Sequence, residues 1–193
     1  MVQSQAELEQ FHSAVDPWGY EQNEHDRRRK AVLLSELPRR SYKFVVDIGC
    51  GQGFVSRDLP GDRVLGIDIS EQAVSHAQQF ANERLSFAQG SLFDLPRTVA
   101  SSGVASSGVA SGGLEWSGVR PDLLVITGVL YPQYIGEAKA LVYELVDQVL
   151  APGGILVSVH ISSWSSSRFP YLMLKNTFYD YREYTHSLEV YVK

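Results

Sequence analysis

The chain predicts an α/β fold: a parallel sheet with helices on both faces, closed by an antiparallel strand pair. Three observations predict it. Short apolar runs alternate with amphipathic helical stretches over most of the 193 residues. The first apolar run closes on Asp47-Ile48-Gly49-Cys50-Gly51-Gln52-Gly53, an acid followed by three glycines at alternate positions. The last two runs, 177–184 and 187–192, are aromatic and β-branched with partial alternation. Only Thr185-His186 lies between them, so they read as an antiparallel pair at a sheet edge.

The elements follow in order. Residues 21–37 read as a helix, polar first, then striped by Ala31, Val32, Leu33, Leu34 and Leu37, and stopped by Pro38. Residues 44–48 form the first buried strand and 64–67 the second. Ser70 caps a helix with Ala73, Val74, Ala77, Phe80 and Ala81 on one face. Residues 85–88 form a short third strand and 123–126 the fourth. Ala138, Leu141, Val142, Leu145, Val146 and Val149 make another helical stripe, and 155–159 is the fifth strand.

One stretch breaks the pattern. Ser101-Ser102-Gly103-Val104-Ala105 repeats as Ser106-Ser107-Gly108-Val109-Ala110, followed by Ser111-Gly112-Gly113. That is the composition of a flexible linker, so 97–120 reads as a mobile insertion loop on the surface of a single domain spanning 1–193.

Composition narrows the function classes. A net charge of −5 offers no electrostatic footprint for nucleic acid or an anionic membrane. The basic run Arg27-Arg28-Arg29-Lys30 sits among Glu21, Glu24 and Asp26, which reads as a solvated helix face. The single cysteine, Cys50, excludes an internal disulfide. No apolar stretch approaches membrane-spanning length, and the polar first ten residues lack a signal-peptide core. The expectation is a cytoplasmic protein with a small-molecule partner and neither nucleic acid nor membrane. No His/Cys/Asp/Glu cluster has metal-ligand spacing, so no metal is expected.

The glycines carry the chemistry. Glycine tolerates positive φ and has no Cβ, so backbone there can press against a ligand. The spacing is G-x-G-x-G behind an acid, unlike the G-x-G-x-x-G of a dinucleotide site. Asp68 ends the second strand, where a carboxylate can accept both ribose hydroxyls of an adenosine. Tyr131 and His160 stand at carboxyl ends of strands, where ligands bind in open α/β sheets, and His160 is a candidate general base.

Asp47 to Gly53, with Asp68 after the next strand, resembles the cofactor half of class I S-adenosylmethionine (SAM) dependent methyltransferases. The segments Gly90-Ser91-Leu92-Phe93-Asp94-Leu95-Pro96, Asp122-Leu123-Leu124-Val125-Ile126 and Leu150-Ala151-Pro152-Gly153-Gly154-Ile155-Leu156 resemble later parts of that family in order and spacing. The resemblance implies a Rossmann-like, mostly parallel seven-stranded sheet with a C-terminal antiparallel hairpin. It implies a methyltransferase that takes SAM and releases S-adenosylhomocysteine. By position it assigns Asp47, Gly49, Cys50, Gly51 and Gly53 to the methionyl part, Asp68 to the ribose, and Ile69, Ser91 and Leu92 to the adenine. Thr127 and Gly128 fall near the reacting centre. Asp16-Pro17-Trp18 ahead of the first helix is similar to the nodulation-protein-S type of small-molecule methyltransferases. That likeness implies an N- or O-directed acceptor, such as an amino sugar or saccharide. It makes 1–38 a cap, with Trp18 and Tyr20 closing the site and Trp164 lining it. Two other classes compete: a non-catalytic SAM-binding regulator, which would share the cofactor half, and a NAD(P)-dependent oxidoreductase, opposed by the glycine spacing and the terminal hairpin.

Overall fold

The computed structural model describes residues 4–102, 107–110, 113–116, 119–164 and 168–193. Its strands are β1 (Phe44–Ile48), β2 (Arg63–Asp68), β3 (Leu85–Gln89), β4 (Ser107–Ala110), β5 (Gly113–Trp116), β6 (Leu123–Thr127), β7 (Ile155–Ile161), β8 (Leu172–Tyr181) and β9 (Tyr184–Val192). Its helices are α1 (Gln5–Phe11), α2 (Glu24–Glu36), α3 (Glu71–Ala77), α4 (Leu95–Ser101), α5 (Pro132–Ile135) and α6 (Lys139–Val149).

Seven strands make one sheet in the order β3-β2-β1-β6-β7-β9-β8. The pairs from β3 through β7 are parallel, and β9 runs antiparallel to both β7 and β8. Strands covered on both faces need apolar side chains in both directions, and β1 is buried at every position. Val45, Val64, Val125 and Val157 face one layer with Leu33 of α2 and Ala77 of α3. Val46, Leu65, Ile126 and Leu156 face the other, with Val99 of α4 and Val142 and Val146 of α6. Strand order reverses between β1 and β6, which opens a crevice at their carboxyl ends.

Local signals set the helix bounds. The Asn23 side chain accepts from His25 N at 2.9 Å to start α2, and Ser70 Oγ accepts from Ala73 N at 3.1 Å to start α3. In α6 the buried stripe is Val142, Leu145, Val146 and Val149; Leu141, counted in the stripe from sequence, is 45% exposed.

Two expectations change. The turn of the terminal hairpin is Arg182-Glu183, because Thr185 pairs with Asp180 and His186 with Tyr179 within the ladder. The stretch 97–120 opens on helix rather than loop, since α4 buries Leu95, Pro96, Thr98 and Val99. Further along it, β4 and β5 pair antiparallel. Residues 103–106, 111–112 and 117–118 of the repeat region lie outside the described residues.

Candidate active site

The glycine loop leaves β1 with three residues in the left-handed region: Gly49 at φ 75°, Gly51 at 54° and Gly53 at 83°. Gly49 N and Cys50 N both donate to Ile67 O, at 2.8 and 3.0 Å, which ties the loop to the end of β2. A Cβ on Gly49 would stand 2.3 Å from Val129 Cγ2, and one on Gly53 2.8 Å from the Phe87 ring. A Cβ on Gly51 would meet nothing within 4 Å. Packing therefore demands the outer two glycines, while the middle one fronts open space. That space is a cavity of about 580 Å³ at the carboxyl ends of β1, β2 and β6, within the size range of small-molecule and cofactor sites. Cys50 is buried beneath the loop, and burial pushes its thiol well above the ordinary range. The thiol therefore stays protonated at neutral pH, and Cys50 lines the cavity with the glycines on either side of it.

Two carboxylates stand at the loop. Asp68 Oδ2 accepts from Gly51 N at 2.8 Å and Oδ1 from Ser70 N at 3.0 Å. Each oxygen keeps a further lone pair, and Asp68 lines the cavity. Asp47 is fully buried; its Oδ2 accepts from Ser56 Oγ at 2.5 Å, while Oδ1 has no partner among the described residues. Burial pushes Asp47 up to about 6, against the pull of Ser56 and Arg29. Gln52 Oε1 is a second buried acceptor without a partner among the described residues, and both residues line the cavity. Buried polar atoms are rarely left unpaired, so a pair of orphans facing one cavity marks a place for a donor-bearing ligand.

Arg29 supplies the opposite charge. It lies one turn after Asp26 and one turn before Leu33, on the buried face of α2, and lines the cavity. Among the described residues its only hydrogen bond runs from Nε to Asp26 Oδ1, at 3.2 Å. Arg27 and Arg28 are exposed, as read from sequence, but Arg29 and Asp26 are not. Orphan acceptors and a buried guanidinium facing one cavity suit the ammonium and carboxylate of an amino-acid zwitterion.

The N-terminal segment roofs this end. Leu8, His12, Trp18 and Tyr20 line the cavity, and the rings of Phe11, Trp18, Tyr20 and Phe54 follow one another at centroid separations of 4.5, 6.3 and 5.5 Å. Glu9 fastens it. Its carboxylate accepts from Ser70 Oγ at 2.7 Å, Glu71 N at 2.7 Å and Gln72 N at 3.1 Å, capping α3 from 61 residues away. Burial opposes the charge, but these bonds hold Glu9 below the usual carboxylate range. Its contribution is therefore present above pH 4.5 and lost as pH falls through the lowered value. Glu9→Ala should cost about 1 kcal/mol, as loss of a helix cap does, read as a lower melting temperature at pH 7. Unchanged melting would show that the cap contributes nothing.

The other end of the cavity is aromatic. Tyr131 OH accepts from Ile161 N at 2.8 Å, and Trp164 stands edge-on to both Tyr131 and Tyr184, at 5.4 and 5.2 Å between centroids. Ile69, Ser91, Leu92, Thr127 and Gly128 also line the cavity, so the structure brings the sequence-derived candidates together with two exceptions, Gly53 and His160. Gly53 packs against Phe87 and Ala77 instead. Val159 and Ile161 line the cavity, so His160 between them on β7 points to the opposite sheet face. There its Nδ1 lies 3.3 Å from Ser158 Oγ, and it borders a smaller polar cavity with Glu189. His186 takes its place: it lines the main cavity, stacks on Tyr181 at 4.0 Å and holds Nδ1 3.2 Å from Tyr179 OH. Burial, with Arg29 nearby, lowers His186 to about 4, so it is neutral at pH 7.

Residues 40–189 match a family model described as a methyltransferase domain. The chain belongs to that family. It is 33% identical over 146 residues to trans-aconitate 2-methyltransferase of Paracidovorax citrulli, covering 73% of this chain and 48% of that protein. It is 32% identical over 159 residues to malonyl-[acyl-carrier protein] O-methyltransferase of Enterobacter lignolyticus, covering 80% and 53%. The methyltransferase thus spans about half the length of these curated relatives. Its fold matches the N-methyltransferase NodS from Bradyrhizobium japonicum in complex with S-adenosylhomocysteine, with a TM-score of 0.71 and 97% of each chain covered at 18% identity.

The cofactor of class I methyltransferases is SAM, and the residues present fit it in kind. SAM carries an amino-acid zwitterion, a ribose and an adenine. The methyltransferase offers orphan acceptors beside a guanidinium, a carboxylate with spare lone pairs, and an apolar end at Ile69, Leu92 and Phe93. Among the described residues no group of three or more His, Cys, Asp or Glu could hold a metal ion, and no helix is long and apolar enough to cross a membrane.

Proposed function

We propose that the protein transfers the methyl group of SAM to a carboxylate oxygen of a small organic acid. The observation that carries this reading is a cationic corner of the cavity wall. Two guanidiniums, Arg29 and Arg182, share one buried carboxylate, Asp26. With Arg29 given to the carboxylate of SAM, the one-third-exposed Arg182 is left for the acceptor, beside a histidine that stays neutral. Of the carboxylates that line the cavity, Asp47 and Asp68 stand at the glycine loop, Asp16 accepts from Tyr20 N and Glu21 N, and Glu183 is engaged with Tyr184. A carboxylate acceptor arrives already ionised, so it needs a cation to recognise it and no base to activate it. An amine or amino sugar would instead bring a donor against the same arginines. The names of the relatives above, trans-aconitate and malonyl-[acyl-carrier protein] methyltransferases, support an acidic acceptor.

On this reading Asp47 Oδ1 and Gln52 Oε1 hold the ammonium of the cofactor, Arg29 its carboxylate, Asp68 the ribose hydroxyls, and Ile69 and Leu92 the adenine. Ser91 Oγ accepts from Phe93 N at 3.1 Å, which leaves its hydroxyl proton for the adenine edge. When bound, SAM supplies a methyl on positive sulfur: an acceptor oxygen lone pair forms the C–O bond as the C–S bond breaks and its electron pair stays on sulfur. The chain aligns the two partners and keeps water out, with Trp18, Tyr20, Tyr131 and Trp164 as walls. No protein group has to move a proton.

Release of S-adenosylhomocysteine from SAM, measured with trans-aconitate, a malonyl thioester, a hydroxylated sugar and an amino sugar as acceptors, tests the reading. Turnover with an acid is expected; turnover with the sugars alone would replace it by the hydroxyl- or amine-directed alternative. Asp68→Ala should weaken SAM binding by about 1.5–3 kcal/mol, the range for charge-assisted hydrogen bonds. The variant also frees Gly51 N from its anchor. Calorimetry giving wild-type affinity for a folded Asp68→Ala would remove Asp68 from the site.

A further inference from the structure

The turn between β8 and β9 carries a conformation that its sequence does not favour. Arg182 sits at φ 53°, the only non-glycine residue with positive φ among the described residues. Left-handed backbone suits glycine, asparagine or aspartate in a hairpin turn, and a long cation there is held under strain. Such strain persists where the surrounding structure over-determines it, often beside a ligand.

The surroundings do over-determine it. Arg182 Nη2 is 2.9 Å from Asp26 Oδ2, and Arg182 N donates to His25 Nδ1 at 3.4 Å. Tyr181 OH donates to the other oxygen of Asp26, at 2.8 Å. The turn is thereby pinned to α2, and Arg182 becomes part of the cavity wall with Tyr184 and His186. Its side chain is one-third exposed, whereas that of Arg29 is 9% exposed. Among the described residues Nη2 is the one guanidinium nitrogen of Arg182 with a hydrogen-bond partner, so one edge of the guanidinium is free. The anion next to it, Glu183, is engaged with Tyr184.

We propose that Arg182 is a specificity-determining residue that binds a second carboxylate of the acceptor. One edge of its guanidinium stays on Asp26, and the free edge takes the acid group that is not being methylated. The arrangement selects di- and tricarboxylic acids over monoacids. A guanidinium meets a carboxylate with two parallel hydrogen bonds, which fixes the orientation of the acceptor as well as its charge. The inference rests on the carboxylate reading above and names the residue that reads the acid.

Steady-state kinetics on the full chain with SAM test it, with trans-aconitate as the polyacid and trans-crotonate as the monoacid. Arg182→Gln should raise KM for trans-aconitate at least tenfold, with a smaller effect on kcat. The preference for trans-aconitate over crotonate, as a ratio of kcat/KM, should fall by a similar factor. Arg182→Lys should restore part of the preference. Arg182→Gly relieves the backbone strain, so it should melt no lower than Arg182→Gln yet lose the same preference, which separates charge from folding. Calorimetric affinity for SAM should stay within twofold in all three. An Arg182→Gln enzyme with wild-type KM and preference would overturn the inference and leave the carboxylate reading standing. A wild-type enzyme that methylates neither of these acids nor a malonyl thioester would overturn both.

Discussion

Arg29→Gln is expected to produce two losses at once: lower stability and weaker binding of SAM. The stability loss follows from Asp26. That carboxylate has no exposed surface, and Arg29, Arg182 and Tyr181 are its partners. Removing one partner of a buried ion pair typically costs about 3–5 kcal/mol, because a charge is stranded out of water. Arg182 and Tyr181 remain in the variant, so a value of about 3 kcal/mol is expected, or roughly 6–12 °C of melting temperature for a domain of this size. The binding loss has a separate origin. The terminal nitrogens of Arg29 make no hydrogen bond among the described residues and stand at the cofactor end, close enough to Asp47 to pull on its titration. Losing a charge-assisted hydrogen bond to the carboxylate of SAM should reduce affinity about 10- to 100-fold. The two losses can be read independently, by thermal melting without ligand and by calorimetry with SAM. A destabilised variant with undiminished SAM affinity would move Arg29 out of the cofactor site and into the acceptor site.

That residue also shows where sequence was readable and where it was not. β1 has the expected bounds because a central parallel strand must be apolar on both sides, and Phe44–Ile48 is. The glycine loop was legible because positive φ and close backbone approach demand a residue type that is rare in other roles. Arg29 was hidden inside a run of four cations. The spacing Asp26-Arg29-Leu33 places it on the buried helix face, and that signal was present in the sequence. A signal was likewise present for α1: Ser4 and Glu7 form a capping box, with Ser4 Oγ accepting from Glu7 N and the Glu7 carboxylate from Ser4 N. The histidines are a different matter. Which of His160 and His186 meets the cavity depends on which face of β7 turns inward and on the register Ile161–His186 between β7 and β9. Both are long-range facts, and a shift of one residue exchanges the two faces. The hairpin turn was illegible for a third reason: Arg182-Glu183 contains none of the residues that announce a turn. A turn held by Asp26 and His25 of another element has no local signature.

Asp47→Asn is expected to stabilise the free protein while weakening its grip on SAM, an opposition that marks a residue kept for binding. Burial raises the Asp47 carboxyl from 3.8 to about 6 in the folded state. A raised carboxyl favours the fold fully below its unfolded value, and that advantage is lost as pH rises through about 6. At pH 7 the ionised carboxylate therefore weighs against folding by roughly 3 kcal/mol, at 1.36 kcal/mol per unit. Asparagine removes the charge and keeps an oxygen to accept from Ser56 Oγ. The free variant should melt several degrees higher at pH 7, with the difference vanishing toward pH 4. SAM reverses the order. Its ammonium needs the ionised carboxylate at Oδ1, the atom that has no partner among the described residues. Wild-type affinity should be flat above pH 6 and fall below it, as a proton must leave before the ammonium can pair. The amide of the variant offers an N–H or a spent oxygen in that place, so affinity should drop about 10- to 100-fold and lose its pH dependence. Thermal melts with and without SAM from pH 5 to 8 read both effects in one series. If Asp47→Asn lowers the melting temperature of the free protein at pH 7, the Oδ1 carboxylate is paired within the fold. If instead the ligand-induced shift equals that of wild type, Asp47 does not hold the ammonium, and Gln52 is left as the orphan acceptor that does.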